Sequence, residues 1–559
     1  MLLPDDQIKI ILFRASTDQK TLDDLVTFTK NARISLQEAA IEKDVITDER
    51  LGLLIASHIK FPFISLSKIT IPENVFRIVP ERLARKHKVI AFARDADGIK
   101  LAMSDPTDLR FQEMIAKKTG QRITPYLATE RDIENTLQVY RKDLKKTFDE
   151  LLQSEINKNA SEIGEAPIAK IVDLLITYAY RDKASDIHIE PEEKDLLVRF
   201  RIDGILHDVL YLDKNLHDRI LTRIKILSKL RTDEHLSAQD GKMRLVIDDD
   251  NLDLRVSIIP LIEGENAVLR LLSSHYRQFS LLDLGMNEQD LKKVTAAIDK
   301  SNSMILSTGP TGSGKTTTIY ALLKILNTRE KSITTIEDPV EYKIQGVNQI
   351  QVNVKTNLTF AEGLRSILRQ DPNITFVGEI RDIETAGIAV NAALTGHLVV
   401  STLHTNDAAT ALPRLIDMKV EPFLVASTVS IIIAQRLVRK ICESCKMQIT
   451  VKRSDMEKNI SKEMINKHFL AIEDIPIHRG KGCKICHFTG YLGRIGIFEV
   501  LEVTDEVRKL ITEKNDSSVI AQVAIEEGMT TMLDDGLDKI VKGITTFEEV
   551  LRVTNVGAL

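Results

Sequence analysis

Three glycines, a lysine and two threonines are concentrated in one short stretch, Gly309-Pro-Thr-Gly-Ser-Gly-Lys-Thr316. The glycines allow the backbone to curl until several N–H groups point at phosphate oxygens, and a helix beginning at Lys315 adds its positive amino end. The pattern G-x-x-x-x-G-K-[ST] predicts an ATP site with Lys315 on the β- and γ-phosphates and the Thr316 hydroxyl on Mg²⁺. The predicted nucleotide-binding residues are Gly309, Pro310, Thr311, Gly312, Ser313, Gly314, Lys315, Thr316 and Thr317. The alternative is a glycine-rich turn without a ligand.

Two apolar stretches end in carboxylates, the groups that metal-dependent hydrolysis needs beside the phosphates. Ile374-Thr-Phe-Val-Gly-Glu379 puts Glu379 where a Walker B acid sits, with glutamate in place of the usual aspartate. Thr335-Ile-Glu-Asp-Pro-Val-Glu341 brings three more acids to a second strand end. We expect one carboxylate to complete the metal shell and another to polarise the attacking water. The alternative is that these acids only cap the helices that follow.

Two histidines flank a third apolar segment, Gly396-His-Leu-Val-Val-Ser-Thr-Leu-His404. An isolated histidine is more often a structural residue with satisfied hydrogen bonds. Because both belong to the same predicted sheet, we expect His397 and His404 to sense the γ-phosphate.

All four cysteines of the chain form two Cys-x-x-Cys pairs, Cys442 with Cys445 and Cys483 with Cys486. Four thiolates in this arrangement suit a closed, tetrahedral structural zinc site. The gap between the pairs is longer than in a compact zinc ribbon, so we expect the intervening segment to loop out as an arm. Four unrelated buried thiols and a redox pair are the alternatives.

The composition, 43% apolar and 28% charged in 559 residues, is that of a soluble globular protein with two to four domains. A formal net charge of −5 and the absence of tryptophan argue against a basic, aromatic-studded channel for nucleic acid. No segment approaches the ~18 apolar residues of a membrane span, and the first residues lack the features of a signal peptide. We therefore expect a cytoplasmic protein that reaches the membrane through partners.

The elements that must position these residues change in type along the chain. Residues 1–140 form a predicted N-terminal α+β domain with strands at Val89–Ala93 and Ile99–Met103, and a polar linker follows at 141–165. Residues 166–280 form a predicted small α+β module, and residues 281–559 form an α/β core. The module's predicted elements are a helix at Ile168–Tyr180 and strands at Asp186–Glu190, Leu196–Ile202, Leu252–Ile259 and Ala267–Leu272.

Short apolar strands alternate with helices in the core, which predicts a mostly parallel sheet covered on both faces. The predicted strands are Met304–Ser307, Ile333–Glu337, Ile374–Val377 and His397–Thr402, and helices are predicted to begin near Lys315, Thr359, Ile383 and Ala408. The core includes a zinc-binding arm at 440–490 and C-terminal helices.

Together these motifs resemble those of the secretion-motor ATPases of type II secretion and type IV pilus assembly. The resemblance also rests on three segments before the core, Ala184-Ser-Asp-Ile-His-Ile-Glu-Pro191, Val198-Arg-Phe-Arg-Ile-Asp-Gly204 and Gln239-Asp-Gly241. It implies a RecA-like P-loop core preceded by a PAS-like module, with Glu341 as catalytic base and Glu379 as Walker B acid. Arg199 and Arg201 would supply positive charge to the γ-phosphate.

The resemblance also implies a homohexameric ring with ATP at the subunit junctions and a module, 166–280, that closes and opens against the core. The cysteines and the segment Gly490–Glu499 are typical of the extension and secretion motors, not of the retraction motors. We expect type IV pilus assembly, with type II secretion as the alternative. The expected partners are a polytopic inner-membrane platform protein and a membrane-anchored assembly protein that docks the N-terminal domain.

Other expectations concern ligands and classes of function. Arg50-Leu-Gly52 is only a fragment of the repeated pattern by which some relatives bind cyclic di-GMP, so we expect no cyclic di-GMP site. A RecA-like nucleic-acid translocase is the alternative from another class, and a zinc adaptor that binds ATP without hydrolysing it is a third.

Overall fold

The structure is a computed structural model that describes residues 3–137, 165–272 and 280–554, apart from positions 16, 33, 44, 70, 96, 248, 249, 470 and 471. It divides into two compact units, Met1–Ile133 with Gln278–Leu559, and Glu134–Arg277. The predicted linker at 141–165 lies outside the described residues except for Glu165. Nowhere in the described ranges does a helix combine the length and the apolar composition needed to cross a bilayer.

The first unit begins with helices that lead into a three-stranded sheet. Strand β1 (Val89–Asp95) pairs antiparallel with β2 (Gly98–Met103), which pairs parallel with β3 (Ile123–Leu127). The helices here are Asp5–Arg14, Gln19–Ala32, Leu36–Glu42, Asp48–Ile59, Glu73–Phe76, Glu81–His87, Leu109–Thr119 and Glu130–Thr136, with a 3-10 turn at Leu66–Lys68. A capping box between Ser35 and Glu38 fixes the start of one of them, because each residue satisfies a backbone N–H of the other. Both strands predicted for this part of the chain are confirmed.

In its described residues, the second unit has an antiparallel sheet and two helices. The helices are Glu165–Arg181 and His217–Leu227, with a 3-10 turn at Lys214–Leu216, and the strands are β4 (Asp186–Pro191), β5 (Asp195–Ile202), β6 (Ile205–Asp213), β7 (Gln239–Ile247), β8 (Asp250–Leu261) and β9 (Gly264–Leu272). The strand order is β6-β5-β4-β9-β8-β7. Alternate side chains of β9 are buried, as expected of a sheet with one face on the core. The four predicted strands are confirmed, whereas β6 and β7 were not predicted.

The remainder of the first unit is the core that carries the motifs. Its strands are β10 (Ser303–Thr308), β11 (Ile333–Glu337), β12 (Asn348–Gln351), β13 (Ile374–Val377), β14 (Leu398–Leu403), β15 (Val429–Ile441), β16 (Lys446–Lys452), β17 (Asp474–Gly480) and β18 (Tyr491–Glu502). Its helices are Glu288–Ile298, Lys315–Leu326, Phe360–Leu368, Ile383–Leu394, Ala411–Asp417, Pro422–Thr428, Arg453–Met456, Lys462–His468, Asp505–Thr512, Ser517–Glu526, Met532–Val541 and Phe547–Thr554, and its 3-10 turns are Val354–Thr356, Glu443–Cys445 and Lys484–Cys486.

Seven strands of the core form one sheet in the order β12-β11-β13-β14-β10-β15-β18. All neighbours pair in parallel except β18, which runs antiparallel to β15. Met304 and Leu306 of β10 belong to the apolar cluster on one face, and Ile305 belongs to the cluster on the other. The predicted α/β class with both faces of the sheet covered is therefore confirmed.

The predicted helix starts hold at Lys315 and Ile383, and Thr359 is the N-cap of the helix that begins at Phe360. The start predicted near Ala408 is wrong by three residues, since that helix begins at Ala411. The side chain of Asp407 accepts the Thr410 N–H at 2.8 Å, which holds the intervening residues in a turn.

Candidate functional site

The phosphate loop (309–314) lies between the carboxyl end of β10 and the helix Lys315–Leu326, which we call the phosphate-loop helix. Gly309 and Gly314 have φ values of 143° and 91°, in the region that side chains rarely adopt. A Cβ atom at Gly309 would lie 2.6 Å from the carbonyl oxygen of Gln435, and one at Gly314 would lie 2.8 Å from the Gln435 Nε2. Both glycines are therefore required by the close approach of strand β15.

Lys315 begins the phosphate-loop helix and turns back into the loop. Its Nζ donates to the carbonyl oxygens of Gly309 at 2.7 Å and Pro310 at 3.1 Å. Burial lowers the pKa of Lys315, and the charge of Glu379 acts in the opposite direction. Thr316 and Thr317 follow in the first turn of the same helix.

Gln435 is a buried polar residue that the motif analysis missed. It lies on β15 and is only 2% exposed. Its Nε2 donates to the Ser313 carbonyl at 2.6 Å, and its Oε1 accepts the Thr318 hydroxyl at 2.6 Å. Gln435 thus ties the phosphate loop to its own helix from the neighbouring strand. The available signal was a glutamine directly after the apolar run 431–434, since buried polar groups need partners.

The predicted Walker B acid lies beyond the carboxyl end of β13 and is 9% exposed. The Glu379 Oε2 lies 2.6 Å from the Arg381 Nε, with which it forms an ion pair, and 3.2 Å from the His404 Nε2. The structure therefore brings the predicted residues Glu379 and His404 together at the same sheet edge as the phosphate loop. Arg381 joins them, although sequence analysis gave it no role.

His397 lies at the other end of this strand. It precedes β14 whereas His404 follows it, so the two histidines occupy opposite edges of the sheet. The His397 Nδ1 lies 3.1 Å from the Ala392 carbonyl at the end of the preceding helix. This position matches the structural alternative for His397, not a phosphate sensor.

Of the acids that end β11, Glu337 and Glu341 have different surroundings. Glu337 is 3% exposed and accepts the hydroxyls of Tyr320 and Thr335. The Glu337 carboxylate is therefore committed to internal hydrogen bonds. This contradicts the expectation that all three acids lie at the sheet edge beside the phosphate loop. Glu341 is partly exposed, and its backbone N–H donates to the Tyr320 Oη at 3.3 Å, which ties it to the phosphate-loop helix.

Arg199 and Arg201 lie two residues apart on β5 of the second unit, hence on the same face of that strand. The Arg199 Nη2 donates to Glu190 Oε2 at 2.5 Å, and this hydrogen bond raises the pKa of the guanidinium. The Arg201 Nε lies 3.4 Å from Asp186 Oδ2. Within their own unit both arginines are paired with carboxylates of β4.

The four cysteines form one cluster, with all sulfur atoms within 4.8 Å of one another. The Sγ–Sγ distances are 3.8 Å for Cys442–Cys483, 3.9 Å for Cys445–Cys486 and 3.7 Å for Cys483–Cys486. A tetrahedral zinc with Zn–S bonds of ~2.3 Å requires separations of about 3.8 Å. The donor set and its spacing therefore fit zinc.

Backbone amides surround these sulfur atoms. The N–H groups of Gly482, Cys483 and Gly490 point at the sulfurs of Cys445 or Cys486 at 3.2–3.3 Å. Burial raises the pKa of Cys442, and it raises that of Cys445 to about 11. Burial acts in the same sense on Cys486, but the N–H groups of Cys483 and Gly490 outweigh it and lower its pKa. Such N–H···S contacts are those that a thiolate ligand accepts.

Glu499 is a second residue whose role sequence analysis did not assign. It belongs to the predicted segment Gly490–Glu499 and is buried on β18. Its Oε1 accepts the Ala408 N–H at 2.9 Å. It therefore supports the loop that follows His404 from the strand that leaves the cysteine cluster.

A phosphate loop with acid-ended parallel strands beside it defines a P-loop nucleotide-binding core. Residues 161–552 match the model of the type II/IV secretion system protein family, and residues 59–146 match the MshEN domain. The chain belongs to the type II/IV secretion system protein family. The resemblance to the secretion-motor ATPases that the sequence motifs indicated is confirmed.

The relatives include proteins of both systems. The chain is 36% identical over 535 residues to the type IV pilus assembly ATPase PilB of Myxococcus xanthus, which covers 92% of each chain. It is 42% identical over 463 residues to the type II secretion system protein E of Pectobacterium carotovorum subsp. carotovorum, covering 83% of this chain and 89% of the relative. The X-ray structure of the Legionella pneumophila ATPase DotB, 20% identical, has the same fold with a TM-score of 0.51 over 69% of this chain and 95% of DotB.

These matches and the structure confirm the predicted fold class: a RecA-like core preceded by a small α+β module and an N-terminal α+β domain, with a tetracysteine cluster. The chain is thus a member of a family of secretion and pilus assembly ATPases.

Proposed function

We propose that the chain is a motor ATPase that couples ATP hydrolysis to the assembly of pilin-type subunits at a membrane platform. The observation that carries this proposal is the meeting of three features at one sheet edge: the phosphate loop, the Glu379–His404 pair and the Glu341 segment. A phosphate cradle, a metal-binding acid and a candidate base are what phosphoryl transfer to water requires.

In this proposal the loop amides and Lys315 hold the β- and γ-phosphates. Thr316 and Glu379 hold Mg²⁺, which neutralises charge on the phosphate oxygens when bound. Glu341 accepts a proton from water as the water oxygen bonds to the γ-phosphorus. The bond from that phosphorus to the bridging oxygen breaks, which releases ADP and phosphate. His404, paired with Glu379, responds to the γ-phosphate.

Arg199 and Arg201 are assigned as cations for the γ-phosphate. Each would have to exchange its carboxylate partner on β4 for phosphate oxygens, an exchange that an Arg fork permits because a carboxylate and a phosphate each offer two oxygen acceptors to its N–H groups. We further propose a homohexamer in which the module at 166–280 opens and closes during turnover, and a structural zinc on the four cysteines.

Pilus assembly is our first choice of system. The similarity to PilB includes most of the N-terminal region, since it covers 92% of both chains. Type II secretion is the second candidate. It is supported by the higher identity to type II secretion proteins, 42% over a shorter match of 463 residues. Deleting the gene and scoring surface pili against secreted proteins separates the two, because each system loses a different product.

The proposed partners are a polytopic platform protein of the inner membrane and a membrane-anchored assembly protein that binds the N-terminal domain. The protein would then work at the cytoplasmic face of that membrane. The expectation that cyclic di-GMP is not a ligand stays a prediction, because the MshEN match over 59–146 names no ligand. Calorimetric titration of the full chain with cyclic di-GMP tests it.

Steady-state ATP turnover of the purified full chain, with and without its reconstituted platform, tests the proposed function. Glu341→Gln should retain Mg·ATP and lower kcat by at least ~100-fold, the usual contribution of a general base. Lys315→Ala should lose ATP binding. Glu526→Gln, at an exposed position on a C-terminal helix, is the matched control. Wild-type turnover by both active-site variants would refute the proposed chemistry.

A further inference from the structure

A polar cluster, buried except for the half-buried Gln349, lies beneath the segment that carries Glu341. It consists of Tyr320, Glu337 and Gln349 together with the hydroxyl of Thr335. Tyr320 is fully buried and Glu337 is 3% exposed. The chemistry proposed above uses none of these side chains, although Tyr320 lies five residues after Lys315 on the phosphate-loop helix.

Glu337 is the centre of this cluster. Its Oε2 accepts the Tyr320 hydroxyl, and its Oε1 accepts the Thr335 hydroxyl at 2.5 Å and the Gln349 Nε2 at 3.2 Å. Burial raises the pKa of Glu337, while the three hydrogen bonds oppose that shift. A buried carboxyl group with three donors keeps the side chains around it in one arrangement.

The cluster holds the backbone on both sides of the Glu341 side chain. Before it, the Tyr320 Oη accepts the Glu341 N–H at 3.3 Å. After it, Gln349 Nε2 donates to the Tyr342 carbonyl at 3.1 Å, and Gln349 Oε1 accepts the Ile344 N–H at 2.7 Å. The rings of Tyr320 and Tyr342 also meet edge to face, with centroids 4.6 Å apart.

These contacts join three elements around the Glu341 segment. Tyr320 belongs to the phosphate-loop helix, Glu337 ends β11, and Gln349 lies on the edge strand β12. Packing alone does not require these polar groups. Phenylalanine at position 320 would fill the same space without a hydroxyl group to desolvate, and an apolar residue at position 337 would avoid burying a carboxyl group.

We propose that Tyr320 and Gln349 are positioning residues that hold the Glu341 backbone at a fixed distance from the phosphate loop. This inference rests on the proposed function, in which Glu341 accepts the proton of the attacking water. A small displacement of a base costs turnover more than it costs nucleotide binding, because binding uses the loop amides and Lys315.

Tyr320→Phe and Gln349→Leu test the inference in the full chain. Each removes hydrogen bonds to the Glu341 segment and keeps most of the side-chain volume. We expect kcat to fall about 10-fold in each variant, with KM for ATP and the affinity for a fluorescent ATP analogue within twofold of wild type, since one neutral hydrogen bond corresponds to about that factor. Tyr491→Phe is the control, because it removes the hydroxyl of a half-buried tyrosine elsewhere in the same unit, bonded to Thr546 at 2.9 Å.

A double-mutant cycle with Glu341→Gln separates positioning from a general structural effect. If Tyr320 acts through Glu341, Tyr320→Phe should lower the residual rate of Glu341→Gln by less than twofold. The inference is wrong if kcat of the double variant falls by the product of the two single-variant effects. It is also wrong if Tyr320→Phe lowers ATP affinity and melting temperature together with kcat.

The failure of this inference differs from the failure of the proposed function. If Tyr320→Phe and Gln349→Leu keep kcat within twofold of wild type while Glu341→Gln is inactive, only the positioning role is wrong. If Glu341→Gln itself turns over ATP at the wild-type rate, the assignment of the base is wrong and the positioning role falls with it.

Discussion

At the scale of single residues, the phosphate loop depends on one side chain from outside its motif. Gln435 satisfies the Ser313 carbonyl and the Thr318 hydroxyl, and all three residues are buried. Gln435→Ala leaves both groups unpaired, so we expect ~2 kcal/mol lower stability and about 10-fold weaker ATP binding. Chemical unfolding and a fluorescent ATP analogue measure the two effects. The exposed Gln370→Ala is the control, and an unchanged affinity in Gln435→Ala would contradict the role given to Gln435.

Asp290 makes stability depend on pH. It is fully buried, hydrogen-bonded to the Asn287 side chain at 2.7 Å, and burial raises its pKa from 3.8 to about 6. Between these values the folded protein keeps a proton that the unfolded chain has released, so this group's contribution to the free energy of unfolding falls as pH rises through that window.

Asp290→Asn cannot ionise and should therefore stabilise the protein at pH 7.5 by up to ~3 kcal/mol, with no such gain near pH 4. Denaturant unfolding at the two pH values measures this difference. Asp299→Asn, an exposed change at the end of the same helix, controls for net charge. A gain that is equal at both pH values would show that ionisation of Asp290 is not its cause.

Residue roles were predictable from sequence where the chemistry is local. Lys315 and the cysteines have fixed spacing within a motif, and both groups lie where the motif requires. Gln435 and Tyr320 could not be assigned in this way. Their partners Ser313 and Glu337 are brought to them by the pairing of strands and the packing of a helix, which no local pattern records.

At the scale of elements, the predicted zinc-binding arm (440–490) connects the ends of two paired strands. It does not loop out as expected, because Met456, Ile465 and Ile475 belong to the main apolar cluster of the core. Strand β15 runs directly into Cys442, and β18 begins soon after Cys486. The Cys442 N–H donates to the Gly490 carbonyl at 3.0 Å, so the ladder continues to the edge of the cluster. Zinc would therefore close the arm at its base.

Cys442→Ser should lower the zinc content from about one ion per chain to near zero and make the arm sensitive to limited proteolysis, because three ligands hold zinc poorly in a structural site. Metal analysis by mass spectrometry and peptide mapping of the digest measure these outcomes. Met447→Ala, an exposed change on β16, should leave both unchanged. A full zinc content in Cys442→Ser would exclude this ligand set.

Strands differed in how well their sequences defined them. The observed bounds of β11 and β13 are those predicted, because each is a short buried run that an acid or glycine ends. Strands β6 and β7 were missed because many of their side chains are exposed and their apolar alternation is weak. Their pairing with β5 and β8 defines them, and that pairing is a property of the folded sheet.

At the scale of the whole molecule, the N-terminal region of the first unit contacts the end of the phosphate-loop helix. The Lys43 Nζ donates to the carbonyl oxygens of Lys324 and Ile325 at 2.8 and 2.6 Å, and it lies 4.3 Å from the Phe28 ring centroid. A cation at a helix carboxyl end stabilises the helix through its last carbonyls and its dipole.

Lys43→Ala should therefore raise amide hydrogen exchange in both partners of this contact, Leu36–Glu42 and the last turn of the phosphate-loop helix. The expected loss is ~1 kcal/mol of local protection. Lys118→Ala, an exposed change on the helix Leu109–Thr119, is the control. If exchange rises in Leu36–Glu42 alone, the contact does not reach the phosphate-loop helix in solution.

Strand β15 connects the phosphate-loop contact at Gln435 to the first cysteine of the cluster. Gln435 and Cys442 are seven residues apart on one continuous run of chain, which corresponds to roughly 23 Å of extended backbone. A paired strand is stiff along its length, so the contact of Gln435 with the phosphate loop and the cysteine cluster lie at two points of one strand. Cobalt bound to the four cysteines would report, through the absorption of its thiolate charge-transfer bands, whether the strand shifts when nucleotide is exchanged.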